Sequence, residues 1–353
     1  MSQESKTVVV TGGTGLIGGE LVSVLLSRGW NVHAMARGAS DAEASKRIRD
    51  RLSRSVQRSA PTGTLTCHAG AVTSENLGIP LAALRESQAV LHCAGETAFN
   101  EDEKCWKTNV GAAERLVELG RRLPNPPRIY FVSTASVCMA PTHSRIAEDM
   151  RFGGYDNGYT RSKRKAEEVL LASGLDVVVL RPTIVFSRGV EDRKMARAML
   201  WVIPALIELG SAPVEPESRI DIIPVDYAAD AIERLLGIPR LKHRIYHISA
   251  GESSSVTCGE FQEAVARVDP RARSVTMSAA LKGKKTASDR LRARLEESIS
   301  FYVPFMSADI VYANARLLGE VPALGLSPKV TEYLQGLLGQ FAYQEGIEES
   351  ARP

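Results

Sequence analysis

The chain begins its pattern with the apolar run TVVVT at 7–11, and runs of the same kind return at 31–36, 64–69, 89–94, 128–133 and 176–180. They are short, rich in valine and isoleucine, and apolar on both faces. Strands read this way when a parallel sheet is covered on both sides. Between them, apolar positions take up helical spacing at 16–28, 102–122 and 158–173. Strand, helix and strand in repeated alternation predict a doubly wound α/β fold with a parallel sheet.

After Pro182 the rhythm changes. Residues 188–209 read as a helix with Met, Leu, Ile and Trp201 on one side, followed by a loop, a strand at 220–225, a helix from about Asp226 and a strand at 244–249. From Cys258 onward the pattern is mostly helical. The expected organisation is a main domain over 1–185, completed by a strand and helix within 219–250. Segments 186–218 and 251–353 then form a smaller, mainly helical substrate-binding subdomain or lid. The tail QEGIEESARP reads as frayed.

Composition adds limits. A chain of 353 residues that is 44% hydrophobic has enough apolar material for such a domain and lid. A net charge of +3 is too small to argue for nucleic acid or an anionic membrane as partner. No apolar run approaches the ~20 residues needed to span a bilayer. The start MSQESKTVVV has neither a basic n-region nor a long apolar h-region, so no signal peptide is read there. The five cysteines (Cys67, Cys93, Cys105, Cys138 and Cys258) form no CxxC and read as buried, reduced thiols of a cytoplasmic protein.

The first strand runs directly into Gly12-Gly13-Thr14-Gly15-Leu16-Ile17-Gly18. A strand that turns abruptly into a helix leaves the first helical N–H groups unpaired, at an end carrying partial positive charge. That is a site for a pyrophosphate. Glycine at 12 permits the turn, at 15 lets a ligand approach the backbone, and at 18 lets helix and strand pack closely. Residues 1–185 are therefore read as a dinucleotide-binding Rossmann domain. The second strand ends at Arg37, where an NAD site usually places a carboxylate for the ribose 2′-hydroxyl. A guanidinium there suits a 2′-phosphate, so NADP(H) is the expected cofactor. Lys46 and Arg47 add cations nearby, and most of 46–58 reads as a solvated basic helix.

Tyr159 and Lys163 open a predicted helix at spacing i, i+4, which puts both side chains on one face. A tyrosine with pKa ~10 is a poor acid–base group at neutral pH. A neighbouring ammonium favours the phenolate, so Lys163 is expected to lower it. The strand reading FVSTASV carries Ser133 and Thr134 towards the same crevice, because strand ends converge there in doubly wound folds.

These motifs together resemble the extended short-chain dehydrogenase/reductase family. TGGTGLIG, LHCAG, NVGA, VSTASV, YTRSK and LRPTIV occur in that family's order over roughly the first 235 residues. The resemblance implies that Thr134 hydrogen-bonds the substrate carbonyl and that Tyr159 donates the proton. It makes Lys163 hold the nicotinamide ribose and Asn109 support that lysine. It further implies that Gly12, Thr14, Gly15, Leu16 and Ile17 cradle the pyrophosphate, that Ala94 and Gly95 pass the adenosine ribose, and that Pro182 and Ile184 sit against the nicotinamide, with Tyr159 and Lys163 also touching cofactor. Two positions depart from the family. Gly70-Ala71 stands where Gly-Asp is usual, and Cys138 stands where an aromatic is common.

A narrower resemblance points to the fatty acyl-CoA reductase and carrier-protein thioester reductase branch. It rests on ENLGIP, HCAGETAFNEDEKCWKTNVGAAERLVELG, RIDIIPVDYAADAI and the C-terminal VPFMSADIVYANARLLGEVP. It implies an acyl thioester as substrate, on CoA or on an acyl carrier protein, reduced to aldehyde or alcohol. The basic stretch 271–294 is a candidate surface for such a carrier or simply a solvated face. The run 195–209 is a candidate acyl wall or plain core. Two other readings stay open: an extended reductase acting on a ketone or hydroxyl, such as a steroid- or dihydroflavonol-like compound, and an NADP-binding regulator without catalysis. Regulators of that kind usually lack the tyrosine or lysine that this chain keeps.

Overall fold

Every residue of the first strand, Thr7–Thr11 (β1), is buried, as a central strand covered on both faces requires. The computed structural model describes residues 6–55, 59–99, 101–139, 144–150, 157–187, 200–278, 289–300 and 302–338. In it β1 joins β2 (Asn31–Ala36), β3 (Leu65–Ala69), β4 (Ala89–His92), β5 (Arg128–Val132), β6 (Val177–Pro182) and β7 (Ile245–Ile248). The sheet order is β7-β6-β5-β4-β1-β2-β3, and all pairs are parallel. The order reverses between β1 and β4, and that switch is where such sheets hold ligands.

Alternation along β1 divides the core in two. Val8 and Val10 face α1 (Leu16–Ser27) and pack with Leu21, Leu25 and, from the helix Val225–Leu236, Ala228 and Ile232. Val9 faces the other way and packs with Ala113, Leu116 and Leu170 from the helices Gly111–Arg122 and Gly158–Leu171. With α2 as Asp41–Leu52, these become α3 (Gly111–Arg122), α4 (Gly158–Leu171) and α5 (Val225–Leu236). The predicted helix 102–122 is one helical run containing a π-helical stretch, Trp106–Val110, which carries Asn109.

The C-terminal part adds short strands to its helices, and the strand expected at 220–225 is split. Asp221 breaks that strand. Arg219–Ile220 pairs antiparallel with Val256–Thr257, whereas Ile222–Pro224 pairs parallel with Ile184–Phe186. The buried Asp221 carboxylate accepts from Thr183 Oγ1 at 2.8 Å and from the amides of Ala250 and Gly251 at 2.8 and 3.3 Å. It thereby satisfies two backbone donors just beyond β7. Ser211–Ala212 pairs with Thr276–Met277, and Ile310–Tyr312 with Ser144–Ile146. Short helices lie between these two- and three-residue ladders. Of the predicted helix 188–209, Val202–Leu209 is described, and 188–199 lie outside the described residues, as does the tail. Among the described residues no helix is long and apolar enough to cross a membrane, and all five cysteines are free.

Candidate active site

The phosphate loop is shaped by contacts that only glycine allows. Gly12 has φ +72°, and a Cβ there would lie 2.7 Å from the amide nitrogen of Ala94. A Cβ on Gly18 would lie 2.3 Å from the Gly12 carbonyl oxygen. The backbone of β4's exit therefore runs directly against the loop. Gly15 is the N-cap of α1 and offers no side chain to the helix's free N–H groups. Those donors remain for an anion.

Arg51 braces this loop. It lies on the inner face of α2, buried, and donates to the carbonyls of Gly15 at 3.3 Å and Leu16 at 3.1 Å. Gly19 makes room for it, since a Cβ there would meet Arg51 Cγ at 2.5 Å. Reading 46–58 as a solvated helix missed this residue. The available signal was its spacing with Ala44 and Ile48, which put all three on one face. Arg37 is exposed at the end of β2, outside the cavity described next, and its carbonyl accepts from Arg47 Nη1 at 2.8 Å.

A cavity of about 580 Å³ opens at the C-terminal edge of the sheet. Of the residues singled out from sequence, Gly15, Leu16, Ile17, Gly95, Thr134, Tyr159, Lys163, Pro182 and Ile184 line it. Gly12 and Ala94 sit at the loop's base instead. Thr14, Arg37 and Asn109 are not in its wall. Thr134 caps a short turn by accepting from the Ser136 amide at 3.3 Å. Its hydroxyl also hydrogen-bonds Tyr159. The i, i+4 geometry of α4 holds because Asn157 and Thr160 form a reciprocal capping box at its start.

Lys163 is buried. Its Nζ donates to the Val132 carbonyl at 2.9 Å and lies 4.8 Å from the centre of the Phe131 ring. Burial brings its pKa down to about 8, opposed by Cys93 and Glu167. The expected lowering of Tyr159 is not found. Burial pushes its hydroxyl up to about 12, and the Thr134 hydrogen bond pulls the other way without overcoming it. With the ammonium anchored on Val132, desolvation decides the balance, and Tyr159 stays a neutral donor.

Asn109 does not bond Lys163 directly. Its Nδ2 donates to the Glu96 carbonyl at 3.0 Å and to Ser162 Oγ at 2.9 Å, and its Oδ1 accepts from the Glu96 amide at 2.9 Å. It fixes the Gly95–Glu96 backbone, and a Cβ on Gly95 would lie 3.1 Å from Lys163 Nζ. The loop that Asn109 holds therefore lies against the Lys163 ammonium.

The cavity continues into the C-terminal segments, where its walls are nearly all apolar: Ile203, Leu206, Val214, Phe261, Val265 and Met277 among others. Phe99 was missed from sequence. Its ring centre lies 5.8 Å from that of Tyr159, 5.2 Å from Tyr302 and 5.0 Å from Phe305. It joins the Tyr159 helix to the C-terminal wall. Of the basic stretch 271–294, Arg271 pairs with Asp269 and Arg273 with Glu263, and 279–288 lie outside the described residues.

Known proteins resemble this chain in the same way. The nonribosomal peptide synthetase asaC of Aspergillus flavus is 25% identical over 263 residues, covering 68% of this chain, which spans 26% of that protein. The Drosophila melanogaster protein CG8303, named as a fatty acyl-CoA reductase, is 24% identical over 316 residues, 72% of this chain and 57% of its own length. This chain thus spans about a quarter of the first relative and just over half of the second. The terminal R domain from the myxalamid PKS-NRPS pathway shares the fold, with a TM-score of 0.74 at 21% identity over 98% of this chain and 92% of that one. A family model described as Male sterility protein matches residues 10–232, which include the glycine loop, Thr134, Tyr159 and Lys163. The chain belongs to that family of extended short-chain dehydrogenases/reductases.

Proposed function

We propose that this chain reduces an acyl thioester, carried on CoA or a carrier protein, with NADPH, using Thr134, Tyr159 and Lys163. The observation that carries the reading is the Thr134–Tyr159 pair in the wall of one cavity that runs from the phosphate loop into an apolar enclosure. The relatives support it by their names, a fatty acyl-CoA reductase and a nonribosomal peptide synthetase, and so does the terminal R domain of a PKS-NRPS pathway, whose fold this chain shares.

The residues fit the cofactor. A Cβ on Gly12 or Gly18 would fill the cradle, and the uncapped start of α1 suits a pyrophosphate. Gly95, Lys163, Pro182 and Ile184 would flank the nicotinamide half, and Arg37 would meet a 2′-phosphate. When bound, NADPH supplies the hydride. Tyr159 and Thr134 donate to the thioester oxygen as negative charge builds on it, and the proton reaches that oxygen from Tyr159 Oη. As the C–S bond of the resulting hemithioacetal breaks, Tyr159 Oη takes the hydroxyl proton back, the sulfur leaves as a thiolate that solvent protonates, and the carbonyl re-forms as an aldehyde. The apolar walls exclude water from the acyl group.

The test is NADPH consumption with acyl-CoAs, acyl-carrier thioesters, aldehydes and ketones. Reduction of thioesters is the expected result, and activity on ketones alone would overturn the reading. For the cofactor, Arg37→Ser is expected to raise KM for NADPH about tenfold or more, the worth of a charge-assisted hydrogen bond, with little change for NADH. Equal affinity of the unaltered chain for NADP and NAD would refute the role of Arg37.

Lys163 sets a pH limit. Its ammonium is present below about 8 and is lost as pH rises through that value. The value of kcat/KM for NADPH, which reports the free enzyme, should therefore fall above about pH 8. Lys163→Arg should move the falling limb upward, because a guanidinium keeps its proton. A flat profile to pH 10 would show that the ammonium is not needed.

A further inference from the structure

Helix Cys258–Ala266 turns one face to the cavity, with Cys258, Phe261, Gln262 and Val265 in its wall. Gln262 stands out there as a carboxamide among apolar neighbours. Its Nε2 donates to the carbonyls of Ala272 and Val275, both at 2.8 Å. Two carbonyl acceptors consume both N–H groups, which also fixes which end of the amide is nitrogen. The oxygen Oε1 accepts from no donor among the described residues. It is an acceptor held in place by its own amide, in a wall otherwise made by Val265, Val275 and Met277.

An acceptor desolvated by an incoming aliphatic chain is costly unless the chain brings a donor. We infer that Gln262 makes the cavity select an aliphatic acyl group bearing a hydroxyl, whose O–H donates to Oε1. This deepens the thioester reading and rests on it. A hydroxyl fits better than an amide, because an amide brings its own carbonyl and the N–H groups of Gln262 are already committed.

The experiment measures kcat/KM for dodecanoyl-CoA and for its 3-, 8- and 12-hydroxy forms. It uses the unaltered chain, Gln262→Met and Gln262→Lys. Lysine keeps N–H donors for the two carbonyls but offers no acceptor, so it separates the substrate contact from support of the 272–275 backbone. The expected result is a preference of about tenfold for one hydroxylated form, lost in both variants. Absence of any such preference, or its survival in both variants, overturns the inference. If no thioester is reduced at all, the thioester reading itself fails. Calorimetric binding of the corresponding alcohols and diols then judges Gln262 alone: tighter binding of a diol, abolished in the variants, supports the contact, and equal binding refutes it.

Discussion

Tyr159→Phe should lower kcat by about 10²–10³, the range seen when one donor to a developing oxyanion is removed, and NADPH binding should survive. The expectation follows from the protonation state. With its pKa near 12, Tyr159 is a neutral donor across the working range, so its contribution is a proton presented to the carbonyl oxygen. Phenylalanine keeps the ring and its contact with Phe99 and removes the hydroxyl, with its proton and its hydrogen bond to Thr134. Thr134 remains to hold the oxygen, so activity falls without vanishing. Single-turnover oxidation of NADPH with an accepted substrate reads the loss, and fluorescence titration of NADPH reads retained binding. If kcat falls less than threefold, the proton comes from elsewhere. If NADPH binding disappears as well, a non-catalytic role for Tyr159 in the cofactor site is favoured.

Glu167→Ala should destabilise the chain by about 3–5 kcal/mol, the usual result of leaving half of a buried ion pair unmatched. Arg181, on β6, donates from Nε at 3.0 Å and Nη2 at 2.6 Å to the Glu167 carboxylate on α4, and from Nη1 to the Glu148 carbonyl at 3.2 Å. Both side chains are at most 5% exposed. The pair fastens the helix of Tyr159 and Lys163 to the strand that leads to Pro182. Removing Glu167 leaves a desolvated guanidinium. Exchanging both partners, Arg181→Met with Glu167→Leu, should recover much of the loss, because no charge is left buried. Denaturant unfolding of the unaltered chain and the two variants tests this. A double variant no more stable than Glu167→Ala would show that the pair's geometry, rather than the orphaned charge, holds the helix.

The sheet was legible because its strands carry their own signal. Runs such as TVVVT and VVVLRP are apolar on both faces, and that is possible only in the middle of a covered sheet. The C-terminal part was not legible for the converse reason. Ser211–Ala212 and Thr276–Met277 are too short to show any period, and each is specified by a partner far along the chain. At the site, Thr134, Tyr159 and Lys163 could be read because helix spacing and strand ends are local rules. Phe99 and Gln262 could not, because their contacts depend on what the fold sets opposite them, and Arg51 left only its helical spacing with Ala44 and Ile48. The sign of the shift on Tyr159 was missed for the same reason. A lysine four residues away on a helix is visible in sequence, whereas the Val132 carbonyl that anchors its ammonium is not.

The π-helical stretch at Trp106–Val110 has a consequence for where the chain tolerates change. An α-helix turns about 100° per residue, so the additional residue in a wide turn shifts the phase of everything beyond it. Before the stretch, Asp102 lies against Gly158 and pairs with Arg161. Within it, Asn109 reaches Glu96 and Ser162. Both contacts grip the start of α4 or the loop facing it, one made from before the irregularity and one from inside it. Loss of one residue between 103 and 108 would leave composition and helix propensity almost untouched. It would still rotate Asn109 out of line with Glu96, so this short stretch is intolerant of length change where its individual side chains need not be.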